Sequence, residues 1–131
     1  MPLVFQALHR APSPELLNEE WMILENSGPG VLAAAGWTLE VARKGQRPHP
    51  LGTLQPGFIL QAGEKIRLVT GTASKKSQGA PPADEGVKNY HLFLREPVLC
   101  APGLVLHIKL KQHIVGTVTF DPAAQNGIAG A

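Results

Sequence analysis

The chain has one cysteine, Cys100, so no disulfide can form within it. The small scaffolds that replace a core with disulfide staples are thereby excluded. No apolar run approaches the ~20 residues of a membrane-spanning helix. Met1 to Arg10 has no basic leading region, only a short apolar stretch and no small-x-small cleavage site, and the expectation drawn from this is a cytoplasmic protein. The 14 Gly and 12 Pro are spread along the chain and leave little room for long helices. Aromatic residues are scarce, with two Trp, one Tyr and four Phe, so each one placed in a core matters.

Catalytic signatures are missing too. There is no H-x-x-x-H, no C-x-x-C, no G-x-S-x-G and no phosphate-cradling glycine loop. His91, His107 and His113 could meet only by folding, and are expected to be surface or half-buried residues with ordinary partners. Cys100 lies in the apolar run Val98-Leu99-Cys100-Ala101-Pro102, where a thiol is expected to be buried and unreactive. Glu19-Glu20 and Asp84-Glu85 are adjacent pairs, which point apart on extended chain. The expectation is a non-enzymatic protein with no metal and no cofactor.

What the chain does have is strand periodicity. Its 131 residues suit one domain, with a core between about residues 3 and 120 and a frayed tail over 121–131. Leu3 to Leu8, Trp21 to Asn26, Trp37 to Arg43, Glu64 to Gly71, Tyr90 to Leu94, Leu104 to Leu110 and His113 to Phe120 read as strands. Shorter ones fall at Val31–Ala35, Leu51–Leu54 and Phe58–Leu60. After Trp37 the alternation Trp37, Leu39, Val41 marks a half-buried strand, and Gly36 lets the chain bend sharply before it. Eight to ten short strands with frequent turns indicate an all-β fold, an antiparallel Ig-like β-sandwich, although the spacing alone also suits a jelly roll or a barrel. The expected core is Trp21, Trp37, Leu39, Phe58, Ile66, Leu68 and Phe93. Thr72 to Lys88 has no periodicity and is the longest expected loop.

Charge is uneven. Residues 1–42 carry one base and five acids, and residues 43–113 eleven bases and four acids. Arg43, Lys44 and Arg47 lie in one Gly/Pro loop, and Lys75 and Lys76 in another. Lys65 and Arg67 are expected on one exposed face, and Lys109 and Lys111 with His107 on a second. Adjoining strands would join these faces into one basic stripe. Such a stripe supports only weak nucleic-acid binding, about 10⁻⁴–10⁻⁶ M at physiological salt, because its strength comes from counterion release. The expected function is therefore binding of a protein partner through loops or an exposed edge strand, with weak nucleic-acid binding by the stripe as the alternative.

Three motifs occur in order over residues 19–120: Glu20-Trp21-Met22-Ile23-Leu24-Glu25-Asn26-Ser27-Gly28, Ala35-Gly36-Trp37-Thr38-Leu39, and Phe58-Ile59-Leu60-Gln61-Ala62-Gly63-Glu64-Lys65-Ile66-Arg67-Leu68-Val69-Thr70-Gly71. Together they resemble lamin-tail domains, the bacterial members most closely. The resemblance implies an Ig-like sandwich used as a non-catalytic interaction module. In animal lamins such domains bind proteins and DNA, and in bacteria they occur alone or beside nucleases, phosphoesterases and other secreted enzymes. This chain departs from the family pattern at Ala35, where a serine is usual, and over Pro97–Gly103, where a Trp and a polar Asn and Gly-Asp motif are usual.

Overall fold

The computed structural model describes residues 3–33, 36–42, 47, 49–53, 59–72, 74–82, 86–99, 101–110 and 113–129. Ten strands lie among them: β1 (Leu3–His9), β2 (Trp21–Asn26), β3 (Leu32–Ala33), β4 (Thr38–Ala42), β5 (His49–Thr53), β6 (Ile59–Leu60), β7 (Lys65–Val69), β8 (Lys88–His91), β9 (Val105–Leu110) and β10 (His113–Thr119). Two single turns of 3₁₀ helix, Leu17–Glu19 and Lys76–Gln78, complete the regular structure. Among the described residues no helix is long and apolar enough to cross a membrane.

The strands form an all-β sandwich. One sheet has the order β1-β2-β7-β8, the other β10-β9-β4-β5, and β3 pairs with β6 in a small ribbon. Side chains alternate across each pleat. In β2, Met22, Leu24 and Asn26 are buried while Trp21, Ile23 and Glu25 are half-buried. In β9, Leu106 and Ile108 point inward. Leu3, Met22, Leu24 and Leu68 from the first sheet and Leu39, Leu106, Ile108 and Val118 from the second build one shared core. Trp37, 6% exposed, is part of it, beside Gly36 at φ +86. Leu39, Ile66 and Leu68 are buried there as well, and Phe58 lies outside the described residues.

Every strand pair is antiparallel except β7 with β8, which is parallel. The expected antiparallel sandwich is observed, with one parallel pair at that edge. A parallel neighbour needs a long crossover to bring the chain back to the same end. The chain between Val69 and Lys88, most of it the aperiodic stretch that begins at Thr72, supplies it.

Three expectations fail. Tyr90 to Leu94 is not a buried strand. The strand starts at Lys88 and ends at His91, and its residues are half-buried or exposed. Phe93 is not core: it is 65% exposed and sits at φ +57, in the left-handed region. The chain turns there because the Phe93 N–H donates to the Gly71 carbonyl and the Leu94 N–H to the Thr70 carbonyl. The tail is not frayed over 121–129. The Leu8 N–H donates to the Asn126 carbonyl, the Ala129 N–H to Thr119, and Ile128 bridges Phe120. Gly127, at φ +77, is pressed so close to the Leu8 carbonyl that a Cβ would collide with its oxygen.

Candidate interaction surface

Three buried polar side chains organise the loops, and two of them belong to the first sequence motif. Glu20, 1% exposed, accepts hydrogen bonds from the Thr70 hydroxyl at 2.6 Å and the backbone N–H groups of Val98 at 2.7 Å and Leu99 at 3.1 Å. It therefore ties the irregular stretch after β8 to the sandwich. Asn26 places Nδ2 near the carbonyls of Gly30, Leu60 and Gln61, at 2.8, 3.1 and 3.1 Å, and accepts from the Gly28 N–H. Asn18 does the same for the crossover, with Nδ2 near the carbonyls of Thr72 and Gly79 at 2.9 and 3.2 Å. A buried carboxylate or amide is stable only with such partners. Sequence reading gave Glu20 and Asn26 only a place in a motif and missed Asn18 altogether, because, apart from the bonds of Asn26 to Gly28 and Gly30, their partners are 34 to 79 residues away.

The outer face of the first sheet carries a row of four side chains, one per strand. The rings of His9 and Trp21 stack at 4.6 Å and 7°. The Arg67 guanidinium lies 5.1 Å from the Trp21 ring centroid, and Arg67 Nη1 donates to Asn89 Oδ1 at 2.7 Å. Asn89 Nδ2 donates in turn to the Pro82 carbonyl. Trp21 was expected in the core. It is half-buried on this outer face instead, because β2 points Met22 and Leu24 inward.

The basic stripe does not form. Arg67 is only 9% exposed, and its charge is spent on Trp21 and Asn89. Lys65 is exposed on the same strand. Lys109 belongs to the second sheet and pairs with Glu40 at 3.6 Å. In β7 and β9 the inward positions are Ile66 and Leu68, and Leu106 and Ile108. The basic residues between them therefore face outward on opposite sides of the sandwich. Arg47, Lys75 and Lys76 are exposed, and Arg43, Lys44 and Lys111 lie outside the described residues. The three histidines are likewise divided. His91 is in the first sheet and His107 and His113 in the second, where His107 Nδ1 meets the Thr117 hydroxyl. No group of three His, Cys, Asp or Glu among the described residues is placed to hold a metal. Cys100 lies outside the described residues. The Glu15 carboxyl is held below its ordinary range by hydrogen bonding from Ser13 and from its own backbone.

The four edge strands of the two main sheets differ in how they are guarded. β1 and β10 lie against each other. Each has an extra residue in its ladder, Gln6 in β1 and Val115 in β10. β5 has the same irregularity at Leu51 and also contains Pro50 and Gly52. Bulges and proline stop an edge from recruiting another strand, as do short length and charged side chains. β8 has no bulge, proline or glycine, only its short length and Lys88. Its register with β7 runs unbroken from Ile66↔Lys88 to Val69↔His91. Its exit carries the exposed, strained Phe93, whose ring lies 6.3 Å from that of His91. Beside this exit, Val41, Leu51, Leu94 and Val98, with His49 and Arg95, line a cleft of about 350 Å³.

No protein-family model matches the chain, and no curated protein is significantly similar to it.

Proposed function

We propose that this chain is a non-catalytic interaction module of the lamin-tail type that binds a protein partner at the β8 edge. The observation that carries the reading is the contrast among the edges. Three of the four are bulged, and one of these also contains proline. The fourth is regular and ends in an exposed aromatic residue at positive φ. A bulky residue in the left-handed region is strained by about 1–2 kcal/mol, and such strain concentrates at binding sites. The lamin-tail assignment is supported by the structural use of its motif residues. Glu20 and Asn26 hold loops, and Gly36 at positive φ delivers Trp37 to the core.

The test is site-specific photocrosslinking in extract of the native source. The photoreactive residue is placed at Phe93 and, as control, at Thr117 on the outer face of the second sheet. A discrete protein adduct from position 93 and none from position 117 is the expected result. Adducts from 117 alone, or adducts with nucleic acid instead of protein, would overturn the reading.

A further inference from the structure

We infer that the outward edge of β8 is a docking strand for an acidic, extended segment of the partner protein. This rests on the protein-binding reading above and names the class of partner.

The backbone geometry comes first. The Leu92 N–H donates to the Val69 carbonyl at 2.8 Å. Backbone groups of successive strand residues point to opposite sides. With Leu92 turned toward β7, Tyr90 and Lys88 are turned the same way. Asn89 and His91 then present their N–H and C=O groups outward. β8 is the last strand of its sheet, so among the described residues no further strand pairs with that side. An extended segment laid there completes the ladder, which is strand addition to an exposed edge.

The charge comes second. Lys88 is exposed at the start of β8. Beyond its end, Lys75 and Lys76 are exposed on the crossover, which meets the exit of β8 where Phe93 bonds Gly71, and Arg95 is exposed two residues after Phe93. Two described carboxylates lie among these four cations: Glu96 follows Arg95 at the cleft, and the Glu19 carboxylate lies against Gly79 of the crossover. Asp84 and Glu85 lie outside the described residues. Cations at both ends of the strand favour an incoming segment that carries carboxylates. They also oppose a second copy of this chain, whose own β8 would bring Lys88, Lys75, Lys76 and Arg95 against the same cations. Phe93 and the neighbouring cleft give an apolar residue of the segment a place to pack.

The experiment is an NMR titration of the full chain with a synthetic peptide of alternating valine and glutamate, beside one of alternating valine and lysine. The amide signals of Asn89 and His91 are expected to move with the acidic peptide and to move several-fold less with the basic one. Raising the salt should weaken the response, because exposed charges are screened. Equal movement with both peptides overturns the acidic class while leaving the edge as a docking site. No movement with either at millimolar concentration overturns the inference, and the photocrosslinking result then judges the module reading by itself. Movement that depends on protein concentration alone assigns the edge to a second copy. Movement with duplex DNA in place of peptide assigns it to nucleic acid. Either outcome overturns the inference. His91→Pro removes one outward donor and leaves the β7 ladder intact, though it also gives up the contact of His91 Nδ1 with the Gly71 carbonyl, and it should abolish the response in a folded protein, while His91→Ala, which gives up only the ring, should keep it. If the proline variant fails to fold, the acidic peptide methylated on alternate backbone nitrogens, tested on the unaltered chain, must lose its effect.

Discussion

The two flanks of the sandwich are built differently. On one, β1 and β10 meet, both are bulged, and residues 121–129 fold across them with Gly127 against the Leu8 carbonyl. On the other, β5 is guarded by Pro50 and a bulge, and β8 is left regular beside an exposed Phe93. The difference separates an edge closed by the chain's own backbone from one left available. A regular edge invites aggregation, and the shortness of β8, only Lys88–His91, and its flanking cations limit that risk.

The comparison can be broken most severely at Glu20, which secures the stretch leading away from β8. Glu20→Ala leaves the buried N–H groups of Val98 and Leu99 and the Thr70 hydroxyl without their acceptor. A loss of about 3–5 kcal/mol in urea unfolding is expected. A loss under about 1 kcal/mol would mean that water replaces the carboxylate and that the anchor is dispensable.

On the closed flank, Gly127→Ala puts a methyl group into the Leu8 carbonyl and an L-residue at φ +77. The expected loss is about 2–3 kcal/mol, together with faster hydrogen exchange at the Leu8 amide, which bonds Asn126. Unchanged exchange there would show that the tail does not close this flank.

Trp21 and Trp37 sharpen the contrast between outer face and interior. Trp37→Ala is expected to destabilise by about 3–5 kcal/mol. Trp21→Ala should lose about 1–2 kcal/mol, since only the stacking with His9 and the contact with Arg67 disappear from a half-buried site. Equal losses would contradict the placement of the two rings. The smallest effect is expected at the open flank. Phe93→Gly relieves the left-handed strain, gives up little burial and should change stability by less than about 1 kcal/mol, with partner binding lost. A large destabilisation would return Phe93 to the core.

Much of the fold was legible because it is written in local alternation. Met22 and Leu24, Ile66 and Leu68, and Leu106 and Ile108 recur at every second position, and a pleated strand converts that spacing into one apolar face. Phe93 was misread for the same reason. Its apolar neighbours Leu92 and Leu94 look like strand interior, and only bonds to Thr70 and Gly71 turn the chain outward there. Arg67 and Lys109 both alternate with the inward residues of their strands, but Arg67, expected on an exposed face, is buried against Trp21 and Asn89. Which sheet each strand joins was not readable, and that set them on opposite sides.

The sequence by itself determined the all-β class, the inward set around Trp37 and Leu39, and the position of the long crossover between β7 and β8, because each follows from spacing or composition within a short window. Only the tertiary structure decided the parallel placement of β8, the use of Glu20, Asn18 and Asn26 as loop anchors, and the difference between bulged and regular edges. Those depend on which distant backbone groups meet, and hydrogen bonds between residues far apart in the chain leave no local pattern to read.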